Sequence, residues 1–226
     1  MTLRACAMFS GGKDSTYSLH WAVLHGFKIA GLVTVVPSMK WNSMLYHYPH
    51  VKLTALQAKA MGFPHMVEEA GDSVDELTEV LTKARKRFGC SYLVSGALLS
   101  DYQRLRFAMA SHAAGLKLLA PLWRKRQDKY LRWLVKDGFR FMLTSIQAYG
   151  LPPELLGRVV GLEEVELIIR NSRKYGFNPA FEGGEAETLT VDAPLFRMRL
   201  HVRGRARTIA PYHYIYEITE ARLVPK

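Results

Sequence analysis

Ser10-Gly11-Gly12-Lys13-Asp14-Ser15 brings together two glycines, an ammonium, a carboxylate and two hydroxyls in one short stretch. Gly11 and Gly12 let the backbone approach an anion closely, Lys13 adds positive charge, and the hydroxyls of Ser10 and Ser15 can donate to the same oxygens. Phosphate is the group this stretch suits. Asp14 would repel a polyphosphate unless a divalent cation lay between them, which points to Mg2+. The spacing is neither GxxxxGK[ST] nor GxGxxG, which argues against kinases, GTPases and dinucleotide-binding dehydrogenases. Two further stretches carry chemistry. Gly96-Ala97-Leu98-Leu99-Ser100-Asp101-Tyr102-Gln103-Arg104-Leu105-Arg106 combines a carboxylate with two arginines. Glu182-Gly183-Gly184-Glu185-Ala186-Glu187-Thr188, followed by Asp192-Ala193-Pro194-Leu195-Phe196, packs three glutamates around two glycines. Such a concentration of carboxylates suits ammonium, magnesium or a cationic substrate.

The elements that must position these residues follow from periodicity. Residues 3–9 form a short apolar run that leads into SGGKDS, and residues 15–25 carry Leu19, Ala22 and Val23 at helical spacing before Gly26. Residues 27–36 read as a buried strand ending at Pro37, so the chain opens with a βαβ unit whose strands are parallel. The alternation goes on: helix at 53–61, strand at 65–68, helix at 73–88 capped near Asp72, strand at 92–95, helix at 101–114 stopped by Gly115, strand at 116–120, helix at 128–136 and strand at 139–146. This pattern predicts an α/β fold with a doubly wound, mostly parallel, Rossmann-like sheet. The phosphate-type loop then falls between a buried strand and a helix N-terminus, where backbone N–H groups and the helix dipole favour an anion. After Gly150 the texture changes to a Pro152-Pro153 start, a helix at 163–175 and strand-like runs at 195–202 and 213–219. The expected organisation is a phosphate-binding α/β domain over 1–125 and a smaller C-terminal α+β lobe over 126–226.

With 226 residues and 49% hydrophobic content the chain can bury a sizeable core. Its 31 Lys and Arg against 20 Asp and Glu give a net charge of +11, which favours anionic partners without choosing among nucleotides, RNA and acidic proteins. The basic run Arg197, Arg199, Arg203, Arg205 and Arg207 reads as a solvated strand face. Cys6 and Cys90 show no metal or redox spacing and read as small buried hydrophobes in a reducing, cytoplasmic setting. No export signal or membrane span is indicated. Tyr46, His47, Tyr48 and His50 read equally as a substrate-side wall or as an ordinary exposed loop.

SGGKDS in this context resembles the PP-loop of the N-type ATP pyrophosphatases, which have an adenine nucleotide alpha hydrolase-like fold. The resemblance implies ATP cleaved between its α and β phosphates. The stretches GALLSDYQRLR and EGGEAETLTVDAPLF, with LAPLWRKRQ at 119–127, GLPPELLG at 150–157 and Lys174-Tyr175-Gly176, resemble the diphthine-ammonia ligase family in its compact archaeal form, over nearly the whole chain. The chain departs from that pattern at Phe181, where the family has glycine, and at Ala186, where it often has an aromatic. The resemblance implies ATP-dependent amidation, with ammonium, of diphthine, a modified histidine on translation elongation factor 2, through an acyl-adenylate. It also implies roles. Ser10, Gly11, Gly12, Lys13, Asp14, Ser15, Val36 and Gly96 would hold ATP and, through Asp14, magnesium. Lys13, Asp14, Asp101, Glu185 and Glu187 would serve catalysis. Tyr46, His47, Arg104, Arg106, Gly183, Gly184, Glu185 and Thr188 would meet substrate. Arg104 and Arg106 would grip phosphate or carboxylate, and Glu185 and Glu187 would receive the trimethylammonio group of diphthine or orient ammonia. The alternatives are a PP-loop enzyme acting on tRNA and a non-catalytic module binding ATP or AMP. Oligomeric state stays open.

Overall fold

The computed structural model describes residues 3–37 and 53–226. The polypeptide divides into two compact units, Met1–Arg124 and Lys125–Lys226. The first unit is built on a five-stranded sheet of β1 (Arg4–Met8), β2 (Lys28–Pro37), β3 (His65–Ala70), β4 (Tyr92–Val94) and β5 (Lys117–Leu119). The strand order is β3-β2-β1-β4-β5, and every pairing is parallel. Helices α1 (Lys13–Leu24), α2 (Thr54–Met61), α3 (Val74–Phe88) and α4 (Asp101–Ala113) alternate with the strands. This is the expected α/β fold. The chain winds outward from β1 through β2 to β3, then returns to place β4 on the other side of β1. The switch point of the sheet therefore lies between the carboxyl ends of β1 and β4, where open α/β sheets bind ligands.

Helix α3 shows how local sequence sets these elements. The Ser73 hydroxyl accepts from Glu76 N at 3.1 Å and donates to the Glu76 carboxylate at 2.6 Å, while Gly71 N donates to the same carboxylate at 3.0 Å. Ser73, not Asp72, is therefore the cap, because its short hydroxyl reaches the open amide three residues on. At the other end Arg85, Lys86 and Arg87 complement the helix dipole, and Gly89 adopts φ 61°. The buried stripe Leu77, Val80, Leu81, Ala84 and Phe88 joins Cys6, Val33, Leu93 and Phe107 in one apolar core. Each fully buried leucine there contributes about 1.5–3 kcal/mol. Ser100 likewise caps α4, accepting from Gln103 N at 3.2 Å, so Asp101 is the first helical residue rather than the cap.

Within this core Cys6 of β1 and Cys90, just before β4, are joined in a disulfide with Cα atoms 5.8 Å apart. Both are buried, as expected, but they are a bonded pair and not two separate small hydrophobes. The pairing is invisible in the spacing because the two cysteines stand 84 positions apart.

The second unit contains α5 (Gln127–Lys136), β6 (Arg140–Ile146), α6 (Leu162–Tyr175), β7 (Ala186–Asp192), β8 (Met198–Ala210) and β9 (His213–Pro225). Its four-stranded sheet has the order β7-β6-β9-β8 and is antiparallel throughout. Strand β6, expected at 139–146 as a continuation of the β/α alternation, belongs here and not in the parallel sheet. Periodicity marks a strand but does not choose its neighbours. Strand β7 is masked in the sequence by the Gly-rich stretch before it and emerges only through its pairing with β6. Tyr130, Leu131, Leu134, Phe141, Leu143, Val165 and Ile168 are fully buried and form the apolar interior of this unit. Among the described residues, no helix is long and apolar enough to cross a membrane.

Candidate functional site

Residues 9–12 connect β1 to α1 at the switch point of the parallel sheet, and residues 13–15 form the first turn of that helix. Gly11 adopts φ 79°, a left-handed conformation that favours glycine, and no side chain caps the N-terminus of α1. The hydroxyls staple the loop. Ser10 Oγ lies 3.1 Å from Ser15 Oγ and accepts from Gly12 N at 3.4 Å, while Ser15 Oγ donates to Gly12 O at 3.2 Å. Lys13 is almost wholly buried, only 3% exposed, with its Nζ 2.8 Å from the Asp14 carboxylate. An ammonium enclosed beside a loop of backbone amides fits an anionic group such as a polyphosphate.

Two residues that motif reading missed hold this loop from outside. Gln57 of α2 is fully buried and its Nε2 donates to Gly11 O at 2.8 Å. Thr34 of β2 donates to Phe9 O at 2.6 Å, and the Thr34 hydroxyl lies 2.8 Å from His65 Nε2. Burial, and then the charge of Arg87, push the His65 pKa down, which favours the neutral imidazole beside that hydroxyl. Neither position stands out in the sequence, because a lone polar residue in an apolar element carries no spacing.

Gly96, beyond β4, comes against the loop. A β-carbon on Gly96 would lie 2.8 Å from both Asp14 C and Ser15 N, so the backbones of the two segments touch. Val36, near the carboxyl end of β2, pairs with Glu69 of β3. Asp101 and Arg104 form an ion pair at 3.1 Å on the first turns of α4, and the Arg104 guanidinium sits 4.5 Å from the Trp123 ring centroid. The Arg104 Nε is buried without a hydrogen-bond partner among the described residues. Arg106 stacks 4.1 Å over Tyr102 and donates to Asp72 O. Two positions apart on a helix, these arginines point to different sides, so the structure does not converge them on one group. Tyr46 and His47 lie outside the described residues.

In the second unit the glutamates separate by environment. Both Glu185 oxygens are taken, accepting from Asn178 N and Gly183 N at 2.8 Å each, so this carboxylate fastens the loop before β7. Glu187, on β7 opposite Ser145, has its Oε2 buried with no hydrogen-bond partner among the described residues. Desolvation raises its pKa to about 7. Gly184 takes φ 85°, and Thr188 pairs with Leu143 of β6. Phe181 sits at φ 68°, a left-handed conformation that favours glycine, yet a buried aromatic ring occupies the position. Among the described residues no group of three or more His, Cys, Asp or Glu could hold a metal ion by itself. Asp14 would therefore need partners such as phosphate oxygens to complete a magnesium site.

A phosphate-type loop at the switch point of a parallel sheet, with SGGKDS spacing, defines a PP-loop α/β protein, here followed by an antiparallel lobe. Two family models match this chain, the diphthamide synthase N-terminal domain over residues 3–118 and the diphthamide synthase C-terminal domain over residues 126–224. A Homo sapiens diphthine–ammonia ligase is 31% identical over 223 residues, covering 88% of this chain and 83% of that protein. A Danio rerio protein of the same name is 33% identical over 220 residues, covering 88% and 86%. A longer Schizosaccharomyces pombe protein of that name is 30% identical over 217 residues, covering 88% of this chain and 36% of its own length. The chain belongs to the diphthamide synthase family and is an enzyme of the ligase class.

Proposed function

We propose that this chain amidates diphthine on translation elongation factor 2, using ATP and ammonium and releasing AMP and pyrophosphate. The observation that carries this reading is the stapled 10–15 loop with its enclosed Lys13, closed against Gly96 at the switch point. ATP supplies the leaving group that converts the diphthine carboxylate into an acyl-adenylate, which ammonia then opens to the amide. Lys13 and the loop amides hold the departing pyrophosphate and offset its developing charge. Asp14 would hold magnesium together with ATP, which would supply the positive charge that offsets the repulsion between its carboxylate and the phosphates. Arg104, with an unpaired Nε, is the better placed of the two arginines to meet a carboxylate or phosphate.

In the second unit Glu185 shapes the loop and Glu187 serves the nitrogen side of the reaction. A carboxylate with one desolvated, unpartnered oxygen attracts a cation and can accept a proton from it. The first unit is the ATP-binding domain and the second the substrate-binding lobe. Cys6 and Cys90, joined to each other, offer no thiol for the sulfur transfer that a thiolating tRNA enzyme would need.

The test is release of AMP and pyrophosphate from ATP with magnesium and ammonium, with and without elongation factor 2 carrying diphthine. Release that depends on the modified factor supports the reading. Release driven by tRNA alone would replace it with an RNA-modifying activity.

A further inference from the structure

Three exposed tyrosines of the second unit come together from three separate elements: Tyr149 follows β6, Tyr175 ends α6, and Tyr212 forms the turn between β8 and β9. They are 60%, 37% and 53% exposed. Tyr149 meets Tyr175 at a centroid distance of 5.1 Å with planes at 79°, and meets Tyr212 at 5.0 Å with planes at 82°. The arrangement is held from below. Asn171 of α6 donates to Gly150 O at 2.9 Å, and Ile146 at the end of β6 pairs with both Ala186 of β7 and Tyr214 of β9. Tyr212 stands at φ 61°, where a bulky L-residue is penalised, so the turn presents this ring against its own backbone preference.

We propose that Tyr149, Tyr175 and Tyr212 form a receiving site for a quaternary ammonium group. On the function proposed above, on which this identification rests, that group is the trimethylammonio end of diphthine. Ring planes set at right angles offer several π faces to one convex cation, whereas a stacked nucleobase needs a single flat face. An ammonium already rests on this cluster, since Lys174 Nζ lies 5.0 Å from the Tyr175 centroid. Gln147, two residues before Tyr149, donates its N–H to Glu185 O at 2.7 Å, so the Glu-rich start of β7 lies at the same end of the sheet.

Choline and its uncharged tert-butyl isostere are titrated into protein carrying isotope-labelled tyrosines. The expected result is saturable shifts of the three ring resonances with choline, at least about tenfold weaker binding of the isostere, loss of the response in Tyr149→Ala and its retention in Tyr149→Phe. In the amidation assay Tyr149→Ala should raise KM for the diphthine-bearing factor about tenfold and leave KM for ATP unchanged. Equal response to the isostere overturns the proposal, as does an unaltered KM or a response of the same rings to single-stranded RNA but not to choline. Should the modified factor elicit no AMP, the ligase reading falls, and the choline titration still decides whether the tyrosines bind a quaternary ammonium.

Discussion

Gly96 and the peptide joining Asp14 to Ser15 touch backbone to backbone: a β-carbon on Gly96 would come within 2.8 Å of Asp14 C and Ser15 N. No rotamer change relieves a contact with main-chain atoms, so Gly96→Ala must displace one of the two segments. We expect ATP affinity to fall about tenfold or more while the protein still unfolds cooperatively. Binding measured by calorimetry checks this, and a dissociation constant close to that of the parent protein would remove Gly96 from the loop's support.

Glu187 makes stability depend on pH in an unusual direction for a carboxylate. Its proton leaves near 4.5 in a free side chain but near 7 in the fold. Between those values the native state binds more protons than the unfolded chain, so stability falls as pH rises from 4.5 to about 7 and levels off above. The full effect is at most about 3 kcal/mol, since one unit corresponds to about 1.4 kcal/mol. Glu187→Gln removes the ionisation, so urea unfolding should show this variant gaining on the parent at about pH 8 and not at about pH 4. Equal differences at both pH values would show that Glu187 is not desolvated in the native protein.

Glu185 contributes through the two amides it accepts from. Glu185→Ala leaves the amides of Asn178 and Gly183 without their acceptor and should cost about 1–2 kcal/mol, with faster hydrogen exchange at those two amides. Glu185→Gln should restore little, because its NH2 group meets one of the donors. Unchanged exchange in both variants would leave this carboxylate without its fastening role.

The Cys6–Cys90 bond closes a span of 84 residues through the centre of the parallel unit. By the chain-entropy argument it should contribute about 4.5 kcal/mol, and Cys90→Ala or reduction during unfolding should lower the midpoint accordingly. An intact mass showing two alkylated thiols in unreduced protein would refute the bond.

Phe181 combines a left-handed backbone with a buried ring. Phe181→Gly relieves about 1 kcal/mol of strain but empties a site whose large-to-small cost is about 3–5 kcal/mol, so the variant should be less stable. A rise in thermal midpoint would mean that the ring packs poorly.

Sequence alone determined the βαβ opening, the place of the 10–15 stretch between a strand and a helix, and the change of texture after Gly150, because each rests on interactions within a few residues. Apolar alternation, glycine at a left-handed turn and charge beside hydroxyl all leave local traces. Tertiary structure decided the rest. It set β6 in an antiparallel sheet, brought Gln57 to Gly11 and Cys6 to Cys90, and gathered Tyr149, Tyr175 and Tyr212. It also divided Glu185 from Glu187, which two-residue spacing leaves equivalent on one strand face. Those outcomes depend on which distant segments become neighbours and on how much water they exclude. Strand partners, desolvation and backbone contact are properties of the packed chain, and no residue's type or spacing encodes them separately.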